Sequence, residues 1–469
     1  LLAGAGSLWR AARLPLLALA NAQAWHEAHG RWLRRQGWVA AAALLVALLA
    51  LGLGNSLAAG FVLMAALLLG AALGLPVILN AVLKAVLGRS RSVLGQWFLA
   101  DCRQQLPALS LALMALLLAL AVNIGAGSMT SGFRQTFNNW LEQRLTAELY
   151  LNPQNPAQAE QMSHWLAQQP TVNTVLPTWQ VSTQLQGWPA DVFGVIDDPT
   201  YRQHWPLLDA VNQPWDLLQQ GDTLMLSEQL ARRLNVRLGD RVSIPTPQGP
   251  WSPTVVGIYA DYGNPKGHVL VNSTHLLAHW PTLSPARFNL RMAPEDVASL
   301  VRDVQHAFAL EDSRIVDQQQ LKGYSSQVFE RTFAATAALN SLTLGVAGVA
   351  LFISLLTQSQ SRLGQLAPLW ALGVTRRQLM LLNLAQTWLL ALLTLVLALP
   401  LGLLLAWCLD AVINVQAFGW RLPLQVFPWQ LAQLLGLAML ATSLASAWPL
   451  WKLYRSRPAD LLRTFAHED

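Results

Sequence analysis

The chain has 469 residues, of which 53% are hydrophobic and only 12% charged. Soluble domains carry about a quarter of their residues as charges, so this composition excludes an ordinary soluble protein and points to a membrane protein. The net charge of +6 is no sign of a nucleic-acid partner, because it is unevenly split. Residues 130–332 hold 14 of the 31 Lys and Arg but 19 of the 25 Asp and Glu, a net of −5, and the remainder carries +11.

Taken in order, residues 1–37 are mixed and place Arg31, Arg34 and Arg35 just before the first long apolar run. The runs Trp38–Gly54 and Leu57–Leu79, broken only by Gly54-Asn55-Ser56, predict a transmembrane hairpin over 38–79. Residues 80–106 set Lys84, Arg89, Arg91 and Arg103 among Val86, Leu87, Leu94, Trp97, Phe98 and Leu99, the pattern of a cytoplasmic helix lying in the interface. Pro107 suits the first turn of a third crossing, 107–126, where its missing N–H is not needed.

Residues 127–332 form a polar island. Phe133, Phe137, Trp140, Leu141 and Leu145 recur at helical spacing on one side of it, and 318–332 read as helix on the other, so both ends are expected to be stalks. Between them, 192–196, 241–244, 254–259, 268–271 and 288–292 read as strands, and 227–234 and 294–308 as helices. A fourth crossing (333–357), a cytoplasmic loop (358–378), a fifth crossing (379–409), a periplasmic loop (410–428), a sixth crossing (429–449) and a tail (450–469) complete the chain. Pro400 and Gly402 predict a tilt or kink in the fifth crossing.

The fold class is thus a multi-pass α-helical membrane protein with six transmembrane helices and an extracytoplasmic mixed α+β domain on helical stalks. The short loops rich in Lys and Arg (31–35, 84–103, 362–377 and 452–463) all fall on one side, which the positive-inside rule makes cytoplasmic. That orientation puts the island in the periplasm and the chain in a bacterial inner (plasma) membrane, with the lipid bilayer as a partner. Cys102 and Cys408 lie near opposite faces and are not expected to pair.

Signatures of chemistry are sparse. There is no GxxxxGK[ST] loop for phosphates and no GxSxG elbow. His26-Glu27-Ala28-His29 is one residue short of the zinc-protease HExxH, and His275 with His279 lacks an evident third ligand. Asp197-Asp198 and Glu311-Asp312 are adjacent pairs that diverge on any regular element. No catalytic residue, cofactor or metal is therefore expected. The six apolar runs contain no ionisable residue, which disfavours ion-coupled transport. Their polar members Asn340, Asn383 and Gln386 are assigned to hydrogen bonds between helices.

One loop has its own logic. A short helix is expected to end at Leu372 with Gly373 as a left-handed cap, and Thr375 with Gln378 reads as a capping box opening the next helix. The same stretch, Ser361 to Leu379, resembles the cytoplasmic loop of the FtsX-like permease family, the membrane subunits of MacB-type ABC systems. Ala371-Leu372-Gly373 and Thr375-Arg376-Arg377-Gln378 match its pattern, whereas Gln365 replaces the usual Glu, Trp370 the usual Arg, and Pro368 is unexpected. Leu234 to Val242, including Leu238-Gly239-Asp240, resembles the family's periplasmic "LGVKVGDTV" segment, and Arg457 to Arg463 its closing "SPAEALR".

The resemblance implies a non-enzymatic permease whose partner, a separate cytoplasmic ABC ATPase, docks on Arg362, Gln365, Trp370, Gly373, Thr375, Arg376, Arg377 and Gln378, and on the basic helix 96–103. A periplasmic protein is an open further partner. The rival reading is a non-transporting membrane regulator or scaffold whose periplasmic domain controls an envelope enzyme. Finally, Leu8-Trp9-Arg10 and Arg13 echo Leu450-Trp451-Lys452 and Arg455. From the echo, 1–37 are expected to be the end of a preceding repeat plus a linker, and the resemblance to the family then implies the C-terminal half of a tandem ten-crossing permease.

Overall fold

The computed structural model describes residues 22–89, 92–371 and 373–455. The echo residues between Leu8 and Arg13, Arg91, Leu372 and the closing motif 457–463 lie outside the described residues. Two units emerge. A helical unit takes residues up to Met129, Thr336–Ile413 and from Leu424 on; a sheet unit takes Thr130–Ala335 and Asn414–Pro423.

Helices α1 (Ala22–Leu53) and α2 (Leu57–Leu87) pack against each other, and Ser56 caps α2 by accepting the N–H of Ala59. Next comes α3 (Val93–Arg144), a single helix of 52 residues where the sequence predicts an interfacial helix, a break at Pro107 and a new crossing. Pro107 removes one N–H from the ladder. Tertiary packing overrides that loss, because Cys102, Leu106 and Leu109 around it are all buried.

The sheet unit follows with β1 (Leu149–Leu151), α4 (Pro156–Leu166), β2 (Val172–Leu185), β3 (Trp188–Val195), α5 (Pro199–His204), β4 (Leu207–Ala210), α6 (Pro214–Gln220), β5 (Thr223–Ser227) and α7 (Glu228–Leu234). It continues with β6 (Ile244–Thr246), β7 (Gly249–Trp251), β8 (Thr254–Tyr259), β9 (Gly267–Asn272), α8 (Ser273–His279), β10 (Arg287–Met292), α9 (Val297–Phe308) and β11 (Ile315–Asp317). The chain ends in α10 (Gln318–Ala371), α11 (Arg376–Cys408), a π-helical turn (Leu409–Ile413), α12 (Asn414–Phe418) and α13 (Pro428–Arg455).

Nine strands form one mixed sheet in the order β11-β1-β10-β2-β3-β9-β5-β8-β4, with β3/β9 and β5/β8 parallel; β6 and β7 pair separately. Every residue of β9 is buried, as a central strand covered on both faces requires. On α9, Val297, Leu300 and Val304 recur one and two turns apart and turn one stripe into the core. The predicted strand 241–244 is corrected: Arg241 makes only an isolated bridge to Thr254, and the strand begins at Ile244.

In the helical unit, Leu109, Leu113, Leu116, Leu120 and Ile124 form a buried stripe on α3 at spacings of three and four. Six helices among the described residues are long and apolar enough to cross a membrane: Trp32–Leu53, Leu57–Leu87, Gly95–Arg144, Ala334–Thr357, Arg377–Phe418 and Pro428–Trp448. Because α3 starts ahead of its apolar run, and α11 continues through the π-helical turn into α12, Asp101, Arg103 and Asp410 fall inside these spans. The absence of ionisable residues holds for the runs, not for the full helices. Pro400 lies inside continuous α11, and Gly402 serves a close approach, since a Cβ there would sit 2.5 Å from Cβ of Ile124.

Candidate coupling turn

The residues from Arg362 to Gln378 span the end of α10, a tight turn and the start of α11. Arg362, Gln365 and Trp370 lie on the last turns of α10. Gly373 has φ +95°, the left-handed conformation that a glycine adopts without a Cβ clash. Thr375 then caps α11: its Oγ1 accepts the N–H of Gln378 (3.4 Å), and Oε1 of Gln378 accepts the N–H of Thr375 (2.9 Å). Both ends of the turn are therefore closed by their own residues. Arg376 opens α11, and Arg377 and Gln378 are exposed beside it, while Leu379 is buried and anchors the helix.

One helix links this turn to the sheet without interruption. At 1.5 Å per residue, the 54 residues of α10 extend about 80 Å, well beyond a ~30 Å hydrocarbon core. Its first residue directly follows β11. That strand pairs antiparallel with β1, Leu149 opposite Asp317, and β1 itself lies just after the end of α3. Gln318 donates its backbone N–H to the Glu148 carbonyl (3.1 Å) and its side-chain amide to the Leu145 carbonyl. The roots of α3 and α10 are thus clamped side by side in one two-strand ladder.

A polar contact in the helical unit joins α11 to α3. Gln105 donates to Asp101 Oδ2 (3.2 Å) and to Gln386 Oε1 (2.9 Å), and Gln386 donates to the same Asp101 oxygen (2.8 Å). All three side chains are buried. Two amide donors on one carboxyl oxygen satisfy a buried polar group that would otherwise be costly. Sequence reading identified Gln386 as an interhelical partner but missed Asp101, which sits ahead of the predicted helix start. Asn123 adds a second link, donating to Thr343 Oγ1 of α10 (3.0 Å).

In the sheet unit, Leu238, Gly239 and Asp240 form a turn. Gly239 has φ +87°, and Asp240 Oδ2 accepts the N–H of Arg237 (2.8 Å). The backbone N–H of Gly239 donates to Val255, and that of Val255 to Asp240, which fastens the turn to β8. Leu238 packs against the neighbouring apolar cluster. Its geometry is that of a fold-defining turn. His275 and His279 lie on α8, with His279 against the Trp251 ring, and no cluster of three metal-ligating side chains occurs among the described residues. Asp197 pairs with Arg202, whereas Asp198 caps α5.

The end of stalk α3 carries the main buried polar cluster of the sheet unit. Arg144 lies over the Trp205 ring (4.3 Å), 3.4 Å from His268 Nε2 and 3.9 Å from Asp261. An arginine only donates, so His268 Nε2 accepts and the proton sits on Nδ1, which donates to the Tyr259 hydroxyl. Burial, followed by the charges of Arg144 and Arg287, holds the His268 pKa well below its usual 6.5. Burial pushes Asp261 up from 3.8.

These shifts act in opposite directions. His268 stays neutral in the fold while the unfolded chain takes up its proton near pH 6.5, so its contribution is complete above 6.5 and is lost as pH falls below it. The raised Asp261 costs stability above its folded pKa, a cost that disappears in acid. Thermal unfolding of the purified chain in detergent should therefore show stability falling by up to about 1.4 kcal/mol per pH unit below about 6.5 from this histidine. His268→Gln should flatten that slope between pH 7 and 5.

Comparison with known proteins bears on both units. A model of the FtsX-like permease C-terminal region matches residues 337–458, and a model of the MacB-like periplasmic core domain matches residues 109–309. The chain is similar to the uncharacterized ABC transporter permease protein Rv0987 of Mycobacterium tuberculosis, with 28% identity over 425 residues, 86% of this chain and 49% of that protein. It is also similar to the lipoprotein-releasing system transmembrane protein LolC of Haemophilus influenzae, with 23% identity over 323 residues, 65% of this chain and 79% of that protein. Among solved structures, the periplasmic region of MacB from Actinobacillus actinomycetemcomitans matches 39% of this chain and 94% of that one, at 12% identity and a TM-score of 0.28. The chain spans about half the length of the first of these relatives.

Six membrane-length helices among the described residues make the chain a multi-pass membrane protein, and the two family models with the two sequence relatives put it in the ABC transporter permease class. Residues 337–458 are FtsX-like permease sequence, and residues 109–309 match the MacB-like periplasmic core domain.

Proposed function

We propose that the chain is the membrane subunit of an ABC transporter that passes ATP-driven motion from a separate cytoplasmic ATPase to its sheet unit, for export or extraction of an envelope substrate. The ATPase docks at the turn between α10 and α11, with Arg376 and Arg377 as its charged contacts and Arg362, Gln365 and Trp370 on the adjoining turns of α10. The observation that carries this reading is the continuity of α10: one unbroken helix leads from the docking turn to the strand ladder at the root of the sheet. A continuous helix rooted in the strand ladder transmits displacement along its axis. In this reading the turn faces the cytoplasm, the sheet unit lies in the periplasm, and the protein resides in the bacterial inner membrane, as the basic loops favour.

The test is purification in mild detergent. The wild-type chain should retain an ABC ATPase, and the double variant Arg376→Glu/Arg377→Glu should lose it, because two like-charge contacts replace two attractive ones. Absence of an ATPase from wild type would overturn the proposal, as would full retention by the double variant.

A further inference from the structure

We infer that residues 414–423, between α11 and α13, form a strap that seats Trp420 on stalk α3 and gives the sheet unit a second mechanical input, with Trp420 as its positioning residue. The inference rests on the transmission proposed above. Connecting segments ordinarily run exposed over a surface. This one instead buries Asn414, Trp420 and Leu422 within the sheet unit.

Trp420 is 8% exposed. Its ring stacks on Phe133 of the stalk (centroids 6.1 Å apart, 27°), meets Tyr262 edge-on (5.0 Å, 64°) and stacks on Phe418 (5.7 Å). The stalk continues the cluster through Phe137 and Trp140, and Trp140 Nε1 donates to the carbonyl of Ala260 (2.9 Å). Polar contacts fix the strap's backbone. Asn414 donates to the Trp420 carbonyl (2.7 Å), and the N–H of Arg421 donates to Glu228 Oε2 (3.4 Å). Gly419 has φ +81° and lies so near Gln229 that a Cβ would meet its Cγ at 3.1 Å. Ring stacking, side-chain caps and close backbone approach thus converge on ten residues.

The chain path gives the strap its consequence. Four covalent links join the two units, at Met129–Thr130, Ala335–Thr336, Ile413–Asn414 and Pro423–Leu424. The first two run through α3 and α10. The third continues α11, whose first turn is the capped end of the docking turn. Displacement of that turn therefore reaches the sheet unit along α10 and, through the strap, along α11.

Hydrogen exchange on the purified chain with its ATPase, with and without a non-hydrolysable ATP analogue, tests this. Amides of 415–422 should exchange about tenfold slower in wild type than in Trp420→Ala, and Trp420→Phe, which keeps a ring to stack, should restore most of that protection. The nucleotide-dependent change at 133–140 and 260–262 should vanish in Trp420→Ala while the ATPase stays bound. Strap amides that exchange equally fast in wild type and Trp420→Ala would overturn the inference, as would a nucleotide-dependent change that survives the substitution. Protection of β9 reports whether the sheet remains folded; if Trp420→Ala loses it, Leu422→Ala makes the same comparison. Loss of the ATPase from wild type would defeat the transmission proposal instead, and the comparison of strap protection would still decide whether the strap is seated.

Discussion

Phe288→Ala is expected to destabilise the sheet unit by about 3–5 kcal/mol, a large share of the ~5–15 kcal/mol that a domain holds in total. Phe288 is fully buried on β10, opposite Leu151 of β1 and Pro177 of β2. Around it, Leu149 of β1, Met162 and Leu166 of α4, and Leu300 and Val304 of α9 form one apolar cluster. Removing the ring leaves a cavity that elements on opposite sides cannot easily close. Chemical unfolding of the purified chain should show the loss, whereas Leu208→Ala on edge strand β4, where the side chain is 52% exposed, should change stability by no more than about 0.5 kcal/mol.

Gly402→Leu is expected to force α3 and α11 apart. A Cβ at Gly402 would lie 2.5 Å from Cβ and 2.6 Å from Cγ2 of Ile124, and 3.0 Å from the Ala121 carbonyl oxygen. The opposing Gly125 is also close-packed, with Leu405 Cβ at 3.0 Å and the Gly402 carbonyl oxygen at 3.2 Å. Backbone and a branched side chain cannot move away cheaply, and small residues are what let helices in a membrane approach this closely. Overpacking of this kind costs about 1–3 kcal/mol and more where backbone is struck. The variant should melt well below wild type in detergent. Gly436→Leu, where nothing lies within 4 Å of the added Cβ, should melt close to wild type.

The helical framework was legible because its signals are local. Apolar runs gave the hairpin and the crossings, and Gly373, Thr375 and Gln378 gave a cap geometry that the structure reproduces. Strands β8, β9 and β10 were legible from their apolar stretches. Strand β2 was not, since its 14 residues include Pro177 and polar side chains that suit a strand only once β3 and β10 pair on either side. The long reach of α3 was hidden because Pro107 reads as a helix start in isolation and is tolerated in a packed interior. The same misplacement concealed Asp101 as a buried partner of Gln386. Trp420 sits in a stretch whose composition reads as a loop. Its burial comes from a stalk nearly three hundred residues earlier in the chain, a separation that no local pattern reports.

The transmission itself is best tested by spin-label distances between the two units. Labels placed at Asn55→Cys in the helical unit and Gln248→Cys in the sheet unit, both exposed, with buried Cys102 and Cys408 replaced by Ala, would be measured on the ATPase complex with no nucleotide and with a trapped ATP analogue. The account predicts a distance distribution that shifts when ATP is trapped and returns when nucleotide is removed. Identical distributions in the two states, with the ATPase bound in both, would contradict it.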